Sequence, residues 1–185
     1  MQNLIQINPF YVKRIFDLKG SSVDRLTKGI ENTDRMQALK DLDFKWMKKV
    51  DEELISFNIH QKDLIQDSLS KDLSLLSDLD LMDYSLLLII VDNSDYEEDP
   101  KTNIELNLML ENSKLTRKLF ISENKKYLYI LGVIDYLQKY NFKKAIEHKI
   151  KKIIHDDRAS AVDSKLYAYR MNKFISRNVF DNNTI

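Results

Sequence analysis

The stretch from Leu81 to Ile90, LMDYSLLLII, decides how the chain is read. Six consecutive aliphatic residues from Leu86 to Val91 leave no polar face, so the segment reads as a strand covered on both sides rather than as one side of an exposed hairpin. Asp83 stands just before this run. An ionised carboxylate beside so apolar a strand is costly to desolvate, so it is expected to face a cleft, a metal or a donor. A second segment repeats the pattern: Tyr127 to Ile134, YLYILGVI, reads as another buried strand and ends at Asp135. Taken singly, each aspartate fits a strand end that caps the following turn. Taken as a pair on neighbouring strands, they fit phosphoryl transfer, in which one carboxylate orients the attacking hydroxyl and another holds Mg²⁺.

The surrounding segments supply the packing partners. Gln61 to Leu79 places Leu64, Ile65, Leu69, Leu73, Leu75, Leu76 and Leu79 at near-helical spacing, which predicts an amphipathic helix on the core. A last helix is expected over about Ser164 to Phe174. Ile5 to Leu18 reads as two short strands, or one interrupted strand, running into the turn at Lys19, Gly20, Ser21 and Ser22. Arg25 to Arg35 reads as loop, and the acidic segment Asp92 to Asn103, with Pro100, as an exposed loop. From Tyr136 onward the periodicity turns helical. These elements predict an α+β fold: a central antiparallel sheet with helices packed on one side.

In FDLKGSSVDR, Phe16 to Arg25, Lys19 and Arg25 flank a glycine-containing turn where they could hold phosphate oxygens; the alternative is a solvated hairpin with surface charges. If Lys143 to Ile154 is helical, Ile146, Ile150, Ile153 and Ile154 form a stripe flanked by Lys143, Lys144, Lys149, Lys151 and Lys152. Such a helix can lie in a membrane interface with its lysines on anionic headgroups, or pack its isoleucines on the core.

With 185 residues, 43% of them hydrophobic, the chain can bury a sizeable core in one unit. Lys plus Arg and Asp plus Glu both total 29, so no global charge draws it to nucleic acid, and no nucleic-acid partner is expected. The absence of cysteine excludes disulfides, thiolate nucleophiles and sulfur-ligated zinc, and fits a reducing cytosol. His60, His148 and His155 are not spaced as a metal site. The N-terminus shows no secretory signal, and no apolar run approaches the roughly 20 residues of a membrane span. A soluble protein of the cytosolic side is the expectation.

In order along the chain, the pieces resemble the phosphatidylinositol phosphate kinase family. FDLKGSSVDR fits its DLKGSxxxR pattern, LKDLDF (Leu39 to Phe44) its FKDLDF element, and Met82 to Leu87 its MDYSLL signature. GVIDYLQKY (Gly132 to Tyr140) resembles GIIDxLQxY, Ile146 to His148 resembles LEH, and LYAYRMNKFI resembles FYAxRFxxFM. The resemblance implies a single partial domain over residues 1–185, the kinase-like C-terminal lobe of the family's SAICAR synthase-like fold. Met1 to Leu4 would be the strand at the hinge, and most of the N-terminal lobe would be absent.

The resemblance further implies a lipid kinase that transfers the γ-phosphate of ATP to phosphatidylinositol phosphate, with ATP and Mg²⁺ as cofactors. Asp83 would be the catalytic aspartate and Asp135 the metal ligand and nucleotide contact, while Lys19 and Arg25 would organise the active site or its phosphates. Residues 136–162 would be the activation segment, docking on anionic membrane through Lys143, Lys144, Glu147, His148, Lys149, Lys151 and Lys152. Glu147 stands where kinases of the 5-hydroxyl carry Glu, pointing to phosphatidylinositol 4-phosphate as substrate. The chain departs from the family at Ala145, where a second lysine is usual, at Ile89 in place of a glycine, and in a short insert before the VID strand. The alternative is a catalytically inactive fragment that binds phosphoinositide membranes.

Overall fold

The computed structural model describes residues 11–27, 35–93, 119–136 and 163–180, together with the backbone of 138–139. Its centre is a five-stranded sheet in the order β2 (Ala38–Leu39), β1 (Val12–Leu18), β4 (Ser85–Asp92), β6 (Tyr127–Ile134), β5 (Leu119–Ile121). Every pairing is antiparallel except β1 with β2, which is parallel at the edge. The antiparallel centre matches the expectation, and the two-residue strand β2 adds a parallel pair at its rim. A separate two-stranded ribbon pairs β3 (Leu81–Met82) with β7 (Gln138–Lys139). The helical reading from Tyr136 onward is therefore wrong at 138–139, where pairing with β3 overrides the local periodicity; the lysine-rich continuation lies outside the described residues.

Both apolar runs are strands covered on both faces. Leu86, Leu88, Ile90, Tyr127, Tyr129 and Leu131 belong to one core cluster, while Leu87, Ile89, Val91, Leu128 and Ile130 belong to another on the opposite face. Against the first face pack α2 (Ile59–Asp78), through Ile65, Leu69, Leu73 and Leu76, and α3 (Ser164–Ile175), through Tyr167, Met171, Phe174 and Ile175. A π-helical turn, Ser176–Phe180, continues α3 and buries Val179 and Phe180.

Local chemistry fixes where these helices begin. Asn58 accepts from the Gln61 N–H at 2.9 Å while the Gln61 side chain accepts from the Asn58 N–H at 3.1 Å, a reciprocal cap for α2. Asp163 caps α3 by accepting from the Leu166 N–H at 2.9 Å. Ser164 donates to Asp80 at 2.9 Å, tying the start of α3 to the end of α2. A third helix that the sequence reading did not place, α1 (Asp41–Val50), buries Asp41, Asp43 and Phe44, with the Phe44 ring edge-on to Phe16 at 5.0 Å. No helix among the described residues is long and apolar enough to cross a membrane.

Burial raises the pKa of three core phenols, Tyr84, Tyr129 and Tyr167, with a consequence for alkaline stability. Burial pushes both Tyr84 and Tyr129 up to about 12 from the ordinary 10.0. The folded state thus retains protons that the unfolded chain releases, so this contribution is complete below the unfolded value and lost as pH rises through about 12. Cooperative unfolding is expected in that alkaline window, accompanied by a step in phenolate absorbance. Smooth phenol titration near the ordinary value with the fold intact would contradict it.

Candidate functional site

The site is built on two strand ends and two turns. Ser85 at the start of β4 pairs with Ile134 at the end of β6, so Asp83 and Asp135 leave the sheet at the same edge of neighbouring strands. Both adopt left-handed backbone, with φ of 65° and 59°. This conformation is uncommon outside glycine, and aspartate is among the few residues that tolerate it. It carries each chain segment sharply out of its ladder. Asp83 is half-buried and Asp135 exposed.

Beside Asp83 lies a cleft of about 250 Å³ whose walls include Lys19, Ser21, Arg25, Asp83, Tyr167 and Arg170. The structure thus brings Lys19, Arg25 and Asp83 together. Asp135 sits at the adjacent strand end and is not among the residues lining this cleft. Two larger depressions, of about 510 and 530 Å³, have a different character. The first is walled by Glu52, Glu53 and Glu123, like charges that would repel a phosphate, and the second lies against Leu64, Leu69 and Leu86.

The turn that carries Lys19 is organised by Asp41, at the start of α1. One Asp41 oxygen accepts from the backbone N–H groups of Lys19, Gly20 and Ser21 at 3.0, 2.7 and 3.3 Å, and the other accepts from Arg25 Nε at 2.6 Å. Arg25 also donates through Nη2 to the Asp17 carboxylate at 2.8 Å and to the Asp17 carbonyl. Burial alone would lower the Arg25 pKa, but the hydrogen bonds and charges of Asp41 and Asp17 outweigh it and raise the value. With its fork committed to these partners, Arg25 acts first as a brace between β1 and α1. Lys19 behaves differently: its ammonium donates to the Asp83 carbonyl at 2.9 Å and retains two further donors beside the cleft.

Helix α3 closes the cleft. Gly20, with φ of 70°, lies so close to it that a Cβ would come within 2.7 Å of Met171 Cα. Gly20→Ala is therefore expected to cost about 3 kcal/mol or more, from backbone strain together with a clash against main chain. A melting midpoint within about 2 °C of the parent would mean that α3 is not seated on this turn. From α3, Tyr167 donates its hydroxyl to the Tyr84 carbonyl, and Arg170 stacks over the Tyr167 ring at 5.0 Å. Burial lowers the Arg170 pKa, opposed by Tyr167, Asp41 and Asp83.

The sequence reading missed Asp41, Tyr167 and Arg170. A signal existed for the last two: three residues apart on a helix, they share a face, and that face carries a phenol and a guanidinium toward the cleft. Lys143, Lys144, Glu147, His148, Lys149, Lys151 and Lys152 lie outside the described residues. For Mg²⁺, an exposed carboxylate such as Asp135 is a suitable donor, since this ion takes one or two carboxylates and completes its shell with water and phosphate. Among the described residues, no group of three or more His, Cys, Asp or Glu could hold a metal.

Comparison with known proteins assigns the family. The family profile described as Phosphatidylinositol-4-phosphate 5-Kinase matches residues 1–119 and 110–178. Phosphatidylinositol 4-phosphate 5-kinase type-1 beta of Mus musculus is 30% identical over 89% of this chain and 36% of its own length. Phosphatidylinositol 5-phosphate 4-kinase type-2 gamma of Danio rerio is 30% identical over 91% of this chain and 50% of its own length. A phosphatidylinositol 4-phosphate 5-kinase of Plasmodium falciparum is 28% identical over 91% of this chain and 10% of its own length. The chain thus spans about a third of the length of the first of these relatives. With the family profile covering most of its length, and with DLKGS, MDYSLL and VID meeting at one end of strands β1, β4 and β6, the chain belongs to the phosphatidylinositol-4-phosphate 5-kinase family.

Proposed function

We propose that this chain is the substrate-facing lobe of a lipid kinase that transfers the γ-phosphate of ATP to the 5-hydroxyl of phosphatidylinositol 4-phosphate. The observation that carries the reading is the half-buried Asp83 carboxylate on a cleft with Lys19 and Arg170, one strand away from a second carboxylate, Asp135. In this reading Asp83 orients the inositol hydroxyl and takes its proton as the new O–P bond forms and the bond to the bridging oxygen of ADP breaks. Lys19 and Arg170 offset the charge of the phosphates. Mg²⁺, when bound, would be held by Asp135 and would neutralise charge on the nucleotide phosphates.

The 5-hydroxyl preference is supported by Glu147 alone, since the relatives include kinases of both the 4-phosphate and the 5-phosphate lipids. The lysines between 143 and 152 suit an anionic bilayer at the cytosolic face, each contributing about 1 kcal/mol when held near the surface.

The test is transfer of radiolabel from ATP, in the presence of Mg²⁺, to vesicles carrying either phosphatidylinositol 4-phosphate or its 5-phosphate isomer, with sedimentation of the same vesicles in parallel. Labelled bisphosphate from the 4-phosphate vesicles alone supports the full reading. Label from the 5-phosphate vesicles alone would reverse the isomer assignment, and sedimentation without transfer would reject catalysis by this chain.

A further inference from the structure

Strand β3 ends at Met82 and β4 begins at Ser85, so the two residues between them, Asp83 and Tyr84, belong to neither ladder. Their consecutive carbonyl groups are held instead by side chains from distant parts of the sequence. The Asp83 carbonyl accepts from Lys19 Nζ at 2.9 Å, and the Tyr84 carbonyl accepts from the Tyr167 hydroxyl. The Tyr167 ring also stands edge-on to the Tyr84 ring, with centroids 4.8 Å apart and planes at 79°. One side chain therefore grips both the ring and the main chain of the residue after Asp83.

A phenylalanine at 167 would supply the same ring to this core; the additional hydroxyl is buried, and burying it is favourable only with an acceptor in place. The acceptor it has is one peptide from a residue with φ of 65°, a conformation that persists only when its surroundings hold it.

We propose that Tyr167 is a positioning residue whose hydroxyl, through the Tyr84 carbonyl, holds the turn that presents the Asp83 carboxylate to the cleft. The catalytic consequence rests on the lipid-kinase reading above, whereas the clamp itself rests on geometry alone. Tyr167 also lines the cleft, so loss of its hydroxyl acts at the site rather than deep within the sheet.

The experiment compares Tyr167→Phe in the 185-residue chain with Tyr169→Phe, a control at an exposed position of the same helix. Amide hydrogen exchange resolved by residue is the first readout. Tyr167→Phe is expected to accelerate exchange about tenfold or more across residues 83–87 while leaving β1 and α2 at parental rates. Transfer of phosphate to phosphatidylinositol 4-phosphate vesicles is the second readout: kcat should fall on the order of 100-fold with KM for ATP unchanged, as displacement of a reacting group predicts.

Unchanged exchange at 83–87 overturns the proposal. Uniform acceleration throughout the sheet, or failure to fold, assigns Tyr167 to the core and overturns it equally, as does a variant with full kcat in an active parent. A parent that transfers no phosphate defeats the lipid-kinase reading, and the exchange pattern then decides the clamp by itself.

Discussion

Asp41→Ala is expected to destabilise the fold by about 3–5 kcal/mol, the range for breaking a buried ion pair from one side. Asp41 is wholly buried and receives three backbone N–H groups and one arm of Arg25. Alanine leaves those three donors without an acceptor and strands much of the Arg25 guanidinium, whose side chain is 12% exposed. For a chain of this size the loss corresponds to a fall in melting midpoint of roughly 10 °C. Asp17 still pairs with Arg25 at 2.8 Å, so the β1 end of the brace survives, and the damage should concentrate on the turn at residues 19–21 and the start of α1. A thermal scan by circular dichroism decides the matter. A midpoint within about 3 °C of the parent would show that solvent replaces Asp41 without difficulty.

Asp83→Asn should have the opposite profile. Asparagine adopts left-handed backbone as readily as aspartate and has nearly the same shape, and the Asp83 carbonyl that Lys19 holds is untouched. The melting midpoint should therefore stay within about 2 °C of the parent. What disappears is the carboxylate that, in the proposed lipid-kinase reaction, takes the proton of the attacking hydroxyl, and turnover should fall on the order of 10² to 10⁴-fold. Sedimentation with anionic vesicles should be unaltered. Parallel loss of stability, vesicle binding and turnover would mark Asp83 as a structural residue and remove the basis of the catalytic assignment.

The contrast between these two aspartates explains how far the sequence could be read. Strands β4 and β6 were legible because long aliphatic runs have few other destinations, and α2 and α3 because their leucines and aromatics recur at helical spacing. Asp83 and Asp135 stood out by the same logic, as charges at the edges of apolar segments. Helix α1 escaped because its sequence, DLDFKWMKKV, offers no broad apolar stripe: only Asp41, Asp43 and Phe44 are buried, and two of those are charged. Its stability comes from tertiary bonds that no local pattern displays. Asp43 accepts from the Thr27 hydroxyl at 2.6 Å and from the Thr27 N–H at 3.0 Å.

Lys19 and Arg25 looked equivalent as cations flanking a glycine turn, yet the fold separates their tasks, committing Arg25 to Asp17 and Asp41 and leaving Lys19 at the cleft. That division depends on contacts between positions 8, 16 and 64 residues apart and was not available from spacing. At residues 138–139 the helical periodicity misled, because the partner strand at Leu81 and Met82 determines the conformation.

The close seating of Gly20 beneath Met171 has a consequence for biosynthesis. A ribosome delivers this glycine about 150 residues before the helix that covers it, and Tyr84 more than 80 residues before Tyr167. Sheet and α2 can begin to assemble as they emerge, but the cleft must stay incomplete until translation has passed α3. A nascent polypeptide stalled short of that point would carry DLKGS and MDYSLL and still lack the wall that Tyr167 and Arg170 give the cleft.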